Sequence, residues 1–224
     1  MTPYYSDDYA TIYHGDCREI LPGLNAEVLV TDPPYGIGYE PTFKKWSGKP
    51  SGWEKIEGDD VRFDPTLLLG MNVPLVIWGA TYFSDRLPIG DWLVWDKRGG
   101  VSADKMFGTS IELAWMRGTG KVIIKRLLHG GVINADSVTG NNAIRSHPTQ
   151  KPIALMAWCI KLAKTDGVIL DPYVGSGTTL VAAKNLGRKS IGIEIEERYC
   201  EIAAEWLSQG VLDLKTVAPT PARV

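Results

Sequence analysis

The stretch Val168-Ile-Leu-Asp-Pro-Tyr-Val-Gly-Ser-Gly-Thr-Thr179 reads as a buried strand, a tight glycine turn and the start of a helix. Gly175 and Gly177 can take backbone conformations closed to other residues and let the chain approach a ligand closely. Thr178 and Thr179 open a helix whose first amide groups favour an anion or a carboxylate. Nineteen residues after Gly175 stands Glu194, at the end of the next apolar run, Ser190–Ile193. An acid in that place can accept hydrogen bonds from both hydroxyls of a ribose. The third glycine of a dinucleotide fingerprint would fall at position 180, which is Leu180. The turn therefore suits a nucleoside without the tight helix contact that a pyrophosphate demands.

The flanking sequence fits a doubly wound α/β domain. Short apolar runs at Thr11–His14, Glu27–Thr31, Leu75–Trp78, Trp92–Trp95, Ile111–Met116, Val168–Leu170 and Ser190–Ile193 are mostly bounded by Gly, Pro or Asp, as buried strands are. Three helical stripes accompany them. Ile153, Met156, Ala157, Ile160 and Ala163 follow Pro152; Thr179, Ala182, Ala183 and Leu186 end at Gly187; Ile195, Tyr199, Ile202, Ala203 and Trp206 form the third. Strands alternating with helices predict a mostly parallel sheet with helices on both faces. The 224 residues suit a single domain, and 44% hydrophobic with 22% charged residues is an ordinary globular composition. No run of about 20 apolar residues appears, and Met1-Thr-Pro-Tyr-Tyr5 is not a secretory signal. Cys17, Cys159 and Cys200 are odd in number and form no CxxC pair, which argues against a disulfide framework or a zinc site. A cytoplasmic protein without membrane span or metal is expected.

A second motif carries the chemistry. Glu27–Thr31 runs into Asp32-Pro33-Pro34-Tyr35-Gly36. Two prolines fix two φ angles and remove two amide donors, so the turn is stiff and presents carbonyls. Such a turn suits a site that accepts hydrogen bonds from a planar amino group. The Asp32 carboxylate can take one amino hydrogen and the Pro33 carbonyl the other, helping the nitrogen lone pair leave conjugation. Tyr35 offers a ring for stacking on a base.

The net charge of −2 does not announce a nucleic-acid binder, so any such surface must be local. Between Trp95 and Gly130 the residues Lys97, Arg98, Lys105, Arg117, Lys121, Lys125 and Arg126 outnumber Asp96, Asp104 and Glu112. This is either a phosphate-binding surface or a solvated face. The long polar stretch 36–60 sets Tyr39, Phe43, Trp46 and Trp53 among Lys44, Lys45, Lys49 and Lys55. Interleaved aromatics and lysines suit bases and phosphates, or else the rings pin the loop to the core.

Taken together, Thr31-Asp-Pro-Pro-Tyr-Gly, His147-Pro-Thr-Gln-Lys-Pro152, Asp171-Pro-Tyr-Val-Gly-Ser-Gly-Thr-Thr and Gly192-Ile-Glu-Ile-Glu, with Gly15-Asp-Cys upstream, resemble the amino-methylating DNA methyltransferases and specifically their circularly permuted beta group. The resemblance runs from about Thr11 to Trp206. It implies a Rossmann-like, mostly parallel seven-stranded sheet with one antiparallel strand, and makes the strands ending at Asp32 and Leu170 neighbours. It implies S-adenosylmethionine as methyl donor, S-adenosylhomocysteine as product and double-stranded DNA as partner. Catalytic roles then fall on Asp32, Pro33, Pro34 and Tyr35. Cofactor contacts fall on Asp16, Cys17, Asp32, His147, Thr149, Lys151, Asp171, Tyr173, Gly175, Ser176, Gly177, Thr178 and Glu194. Lys44, Lys45, Lys97, Arg98, Lys121, Lys125 and Arg126 are the candidate DNA contacts. One domain is expected over 1–224, with a catalytic half at 1–95, a short target-recognition region at about 96–146 and a cofactor half at about 147–210. Tyr173 stands where the family more often has Phe. The resemblance further implies N6 of adenine as target in flipped-out duplex DNA, with N4 of cytosine as the alternative. A methylase of structured RNA and an inactive DNA-binding subunit fit less well, because Asp32 and the cofactor loop are both intact. The family includes homodimers and serves restriction–modification as well as orphan and phage roles.

Overall fold

The computed structural model describes residues 1–38, 56–98, 109–128 and 150–209. Nine strands form one sheet: β1 (Tyr5–Ser6), β2 (Ala10–His14), β3 (Val28–Thr31), β4 (Leu75–Trp78), β5 (Asp91–Asp96), β6 (Ile111–Met116), β7 (Val122–Arg126), β8 (Ile169–Asp171) and β9 (Ser190–Glu194). Their order is β1-β2-β9-β8-β3-β4-β6-β5-β7. The central seven, β2 to β5 in that order, contain one antiparallel strand, β6, and match the expected sheet. The edge strands correct the count: β1 adds a second antiparallel strand beside β2, and β7 pairs parallel to β5. β3 and β8 are neighbours, with Leu29 opposite Leu170.

Strand alternation divides the core between two faces. Val28, Val30, Val76, Trp78, Leu93 and Trp95 point to one face, where they meet the helices Ile153–Leu162 (α3) and Thr178–Asn185 (α4). Leu29, Leu75, Ile77, Trp115 and Leu170 point to the other, under the short helices Cys17–Ile20 (α1) and Thr66–Gly70 (α2) and the 3-10 turns of 21–23 and 80–86. Helices thus cover both faces, as buried parallel strands require. The helix Glu197–Ser208 (α5) buries Tyr199, Cys200, Ala203 and Leu207. Its apolar stripe differs from the expected one, since Ile195 lies outside the helix and is exposed.

α4 ends as its glycine predicts. Gly187 takes a φ of +68°. Its N–H donates to the Lys184 carbonyl, and that of Arg188 to the Ala183 carbonyl, which satisfies two end-of-helix acceptors. Every strand of the parallel set ends at one edge of the sheet. Gly15, Asp32, Gly79, Lys97, Asp171 and Glu194 collect there, at or just beyond their strand ends. Because β6 runs the other way, its second residue, Glu112, reaches the same edge, opposite Trp95 of β5. Ligands of open α/β sheets bind at this carboxyl edge.

Candidate active site

The glycine turn is laid flat on β9. Gly175 and Gly177 have φ values of +51° and +90°. The Val174 N–H donates to the Ile193 carbonyl at 3.0 Å. This close approach needs Gly192, because a Cβ there would lie 2.2 Å from Val174 Cγ2. Leu180, in the place of a third fingerprint glycine, is fully buried beside Val174, Ile12 and Ala203. Glu194 fixes the turn from below: its Oε2 accepts the Gly175 N–H at 2.7 Å and its Oε1 the Glu196 N–H at 2.9 Å. Burial pushes its carboxyl above the ordinary glutamate range, against the pull of those two amides.

Asp171 ties the two halves together. Its Oδ1 accepts the Thr31 hydroxyl at 2.7 Å, at the end of β3, and the Tyr173 N–H at 3.1 Å. Burial raises its carboxyl from 3.8 to about 6, while hydrogen bonds from Thr179 and Thr31 oppose the shift. The folded chain therefore holds this proton to higher pH than the unfolded chain. The group adds stability at acid pH that is lost as pH rises through about 6. Replacing Asp171 by Asn is expected to remove this slope. Urea denaturation of both proteins at about pH 4.5 and about pH 7.5 should show the variant gaining on wild type by roughly 2 kcal/mol at the higher pH. An unchanged difference between the two pH values would show that Asp171 does not titrate there.

The Asp-Pro-Pro-Tyr turn is held by a residue the sequence did not single out. Oδ1 of Asp59 accepts the N–H groups of Tyr35 at 2.9 Å, Gly36 at 2.8 Å and Ile37 at 3.4 Å. The Gly38 N–H donates to the Asp59 carbonyl at 2.7 Å, so the two ends of the 36–60 stretch meet. Gly36 is required by the contact, since a Cβ would lie 2.3 Å from the Arg62 Cα. Asp59→Ala should lower turnover about tenfold through disorder of the turn and leave donor affinity within about twofold. Paired kinetics and calorimetry test this, and an equal loss of both would assign Asp59 to the fold alone.

Above the turn, charges alternate. Lys151 Nζ lies 2.6 Å from Asp32 Oδ2, 2.9 Å from the Tyr35 hydroxyl and 3.2 Å from Glu112 Oε2. Glu112 in turn pairs with Lys97. The Tyr35 hydroxyl donates to Asp32 Oδ1 at 2.5 Å. Burial disfavours the Lys151 ammonium, but Asp32 and Glu112 outweigh it and hold the group charged, well above the ordinary lysine range. Burial likewise raises Asp32, and Lys151 pulls it back. The Tyr35 ring stacks on Tyr82, with centroids 5.0 Å apart and planes at 18°. The ring that the sequence offers to a base therefore already carries a partner. Gly79 admits it: a Cβ there would sit 1.9 Å from the Tyr35 ring.

Both motifs open into one cavity of about 760 Å³. Asp16, Cys17, Asp32, Pro33, Pro34, Tyr35, Lys151, Asp171, Tyr173, Gly175, Ser176, Thr178 and Glu194 all line it. Gly177 supports the turn from beneath, where a Cβ would lie 2.8 Å from the Ala203 Cβ. Asp16 caps α1 and pairs with Arg18. His147, Thr149, Lys44 and Lys45 fall outside the described residues, as do the loop aromatics and most of the target-recognition region. The basic segment needs correction. Lys97 is an inward-facing cavity residue, bound by Glu112 and 5.0 Å from the Trp95 ring centroid, and Arg98 is buried. Neither is a surface cation. Lys121 and Arg126 are exposed and Lys125 half-buried along β7, Arg126 beside Asp96 at 3.4 Å. Among the described residues no helix is long and apolar enough to cross a membrane, and no group of three or more His, Cys, Asp or Glu could hold a metal.

The sheet order, the glycine turn and the carboxyl-edge cavity define a Rossmann-like methyltransferase fold. The family described as DNA methylase matches residues 131–205. The type II methyltransferase M.ScaI of Streptomyces caespitosus is 30% identical over 254 aligned positions, covering 90% of this chain and 82% of that one. M2.LlaDCHI of Lactococcus lactis subsp. cremoris is 28% identical and covers 93% of each chain. The chain belongs to the N6/N4 family of DNA methyltransferases. Among solved structures the M1.HpyAVI–SAM complex superposes with a TM-score of 0.54 at 23% identity, covering 89% of this chain and 99% of that one. The cytosine-N4-specific PvuII DNA methyltransferase superposes at 0.59 with 16% identity, covering 91% and 88%. At these identities the likeness shows the shared fold.

Proposed function

We propose that the chain transfers a methyl group from S-adenosylmethionine to N6 of adenine in duplex DNA. The observation that carries this reading is the shared cavity, into which the acceptor carboxylate Asp32 and the ribose-type carboxylate Glu194 both open. The donor set fits the cofactor. Each Glu194 oxygen takes one backbone N–H, which leaves each a lone pair for one ribose hydroxyl. Gly175, Ser176 and Thr178, with Gly177 beneath them, would form the floor beside it, and Tyr173, Asp16 and Cys17 line the same cavity and would complete its walls. His147 and Thr149 complete the contacts by resemblance. The cofactor, when bound, supplies a methyl group on a cationic sulfonium.

Asp32 and the Pro33 carbonyl would accept the two amino hydrogens of the target base and so free the nitrogen lone pair for transfer, in which an N–C bond forms as the donor's S–C bond breaks and S-adenosylhomocysteine leaves. Asp32 acts by position and charge and need not take the proton fully during transfer; the proton that the methylated amino group must shed passes to solvent. A base inside the stack cannot reach this carboxyl edge, so it flips out at a cost of roughly a few kcal/mol. Lys121, Lys125 and Arg126 hold phosphates outside the cavity, and Lys44 and Lys45 are assigned the same role from the sequence alone. Adenine is favoured because Asp at position 32 accompanies adenine in the resembled family and Ser accompanies cytosine. The test incubates the protein with labelled S-adenosylmethionine and unmethylated DNA and resolves the product nucleosides by mass spectrometry. N6-methyladenine is expected. N4-methylcytosine would keep the chemistry and move the target. No labelled nucleoside would overturn DNA as the sole substrate.

A further inference from the structure

Glu112 belongs to none of the motifs above, yet it sits at the centre of the site's charge. It is the second residue of the antiparallel strand β6, and that reversal alone carries it to the edge where β3 and β8 end. Lys151 lies between Glu112 and Asp32, 3.2 Å from one carboxylate and 2.6 Å from the other, with only 5% of its side chain exposed. On its far side Glu112 pairs with Lys97, whose side chain is 14% exposed. The sequence of charges is Asp32 negative, Lys151 positive, Glu112 negative, Lys97 positive. The four cancel. Removal of Glu112 would leave two lysines against one carboxylate in a confined space, where charges interact more strongly than in water.

A cationic methyl donor makes that balance matter. Resting on the proposed function, the sulfonium must stand near Asp32, because the acceptor nitrogen lies between them. Lys151 would then face it as a like charge. We propose that Glu112 is the counter-charge that lets the site keep a lysine on the catalytic carboxylate and still admit a sulfonium. Glu112 is a positioning residue: it acts through its ion pairs with Lys151 and Lys97. The low carboxyl value of Glu112, about 2, agrees: burial alone would raise it, and Lys151 and Lys97 hold it ionised.

The test uses two ligands that differ by one methyl and one positive charge. Binding of S-adenosylmethionine and of S-adenosylhomocysteine is measured by calorimetry for wild type, Glu112→Gln, Glu112→Asp and Lys97→Gln. Glu112→Gln should weaken the sulfonium ligand about tenfold and the neutral thioether less than about threefold. Glu112→Asp should restore most of the ratio. Lys97→Gln, which removes a positive charge, should shift the ratio the other way. Should Glu112→Gln fail to fold, Lys97→Gln decides the matter alone. Equal weakening of both ligands, or an unchanged ratio, overturns the inference and leaves the proposed function standing. A wild-type protein that binds neither ligand overturns both.

Discussion

Replacing Asp32 by alanine is expected to lower methyl transfer about a thousandfold, the size of effect seen when a single preorganised polar group is removed from a reacting centre. Asp32 stands just past the end of β3, where two prolines fix its turn, and it is the carboxylate that Lys151 and the Tyr35 hydroxyl both address. Alanine removes the amino-group acceptor and leaves the Lys151 ammonium with Glu112 alone. Donor affinity should fall much less than the rate, by about tenfold, because one negative charge is lost near the sulfonium while the glycine turn is untouched. Single-turnover transfer from labelled donor, set beside calorimetry, separates the two effects. A rate loss no larger than the affinity loss would remove Asp32 from the chemical step.

The second large effect falls on the other carboxylate. Glu194→Ala should weaken the donor about a hundredfold or more and leave turnover at saturating donor nearly unchanged. Two losses combine. The ribose loses two charged acceptors, and the Gly175 and Glu196 N–H groups, bound at 2.7 and 2.9 Å, lose theirs, so the turn loosens. Since burial holds the Glu194 carboxyl above the ordinary range, donor affinity in the wild type should decline on acidification from a higher pH than a surface glutamate would give. The direction follows because the protonated carboxyl keeps only part of its acceptor capacity. Calorimetric titration of donor affinity against pH checks both statements; a threefold or smaller change in the alanine variant would place the ribose elsewhere.

All seven strands expected from apolar runs are present, because each lies between two neighbouring strands and buries a run of apolar side chains. The two strands not foreseen are edges. β1 has two residues, and β7 alternates exposed and half-buried positions, with Val122 and Ile124 exposed and Lys125 and Arg126 at its end, so its composition resembled a charged surface. Its position depends on Asp91, whose carboxylate accepts the N–H groups of Thr119, Gly120 and Lys121 at the turn before it. The motif residues were legible because their chemistry demands fixed spacings. Asp59, Gly79, Tyr82 and Glu112 were not, because each meets the site through tertiary structure and belongs to no local pattern. One signal was available for Asp59: an acid at the far end of a long loop that begins with a glycine turn. Lys97 misled for the opposite reason, since a lysine in a basic stretch reads as solvated until its partner, fifteen residues on, is seen across the hairpin.

Lys151 meets Asp32 across 119 positions of sequence. On the ribosome, β3 and β4 emerge early and can pair, but β8, which covers the other edge of β3, is made only after residue 168. Until residue 151 is made Asp32 has no ammonium beside it, and until β8 and β9 follow β3 has an open edge and neither the glycine turn nor Glu194 exists. Contacts of such long range form late and slowly. A nascent chain that stops short of β9 is therefore no partial enzyme: the paired site arrives all at once, when residues 151–194 have been made.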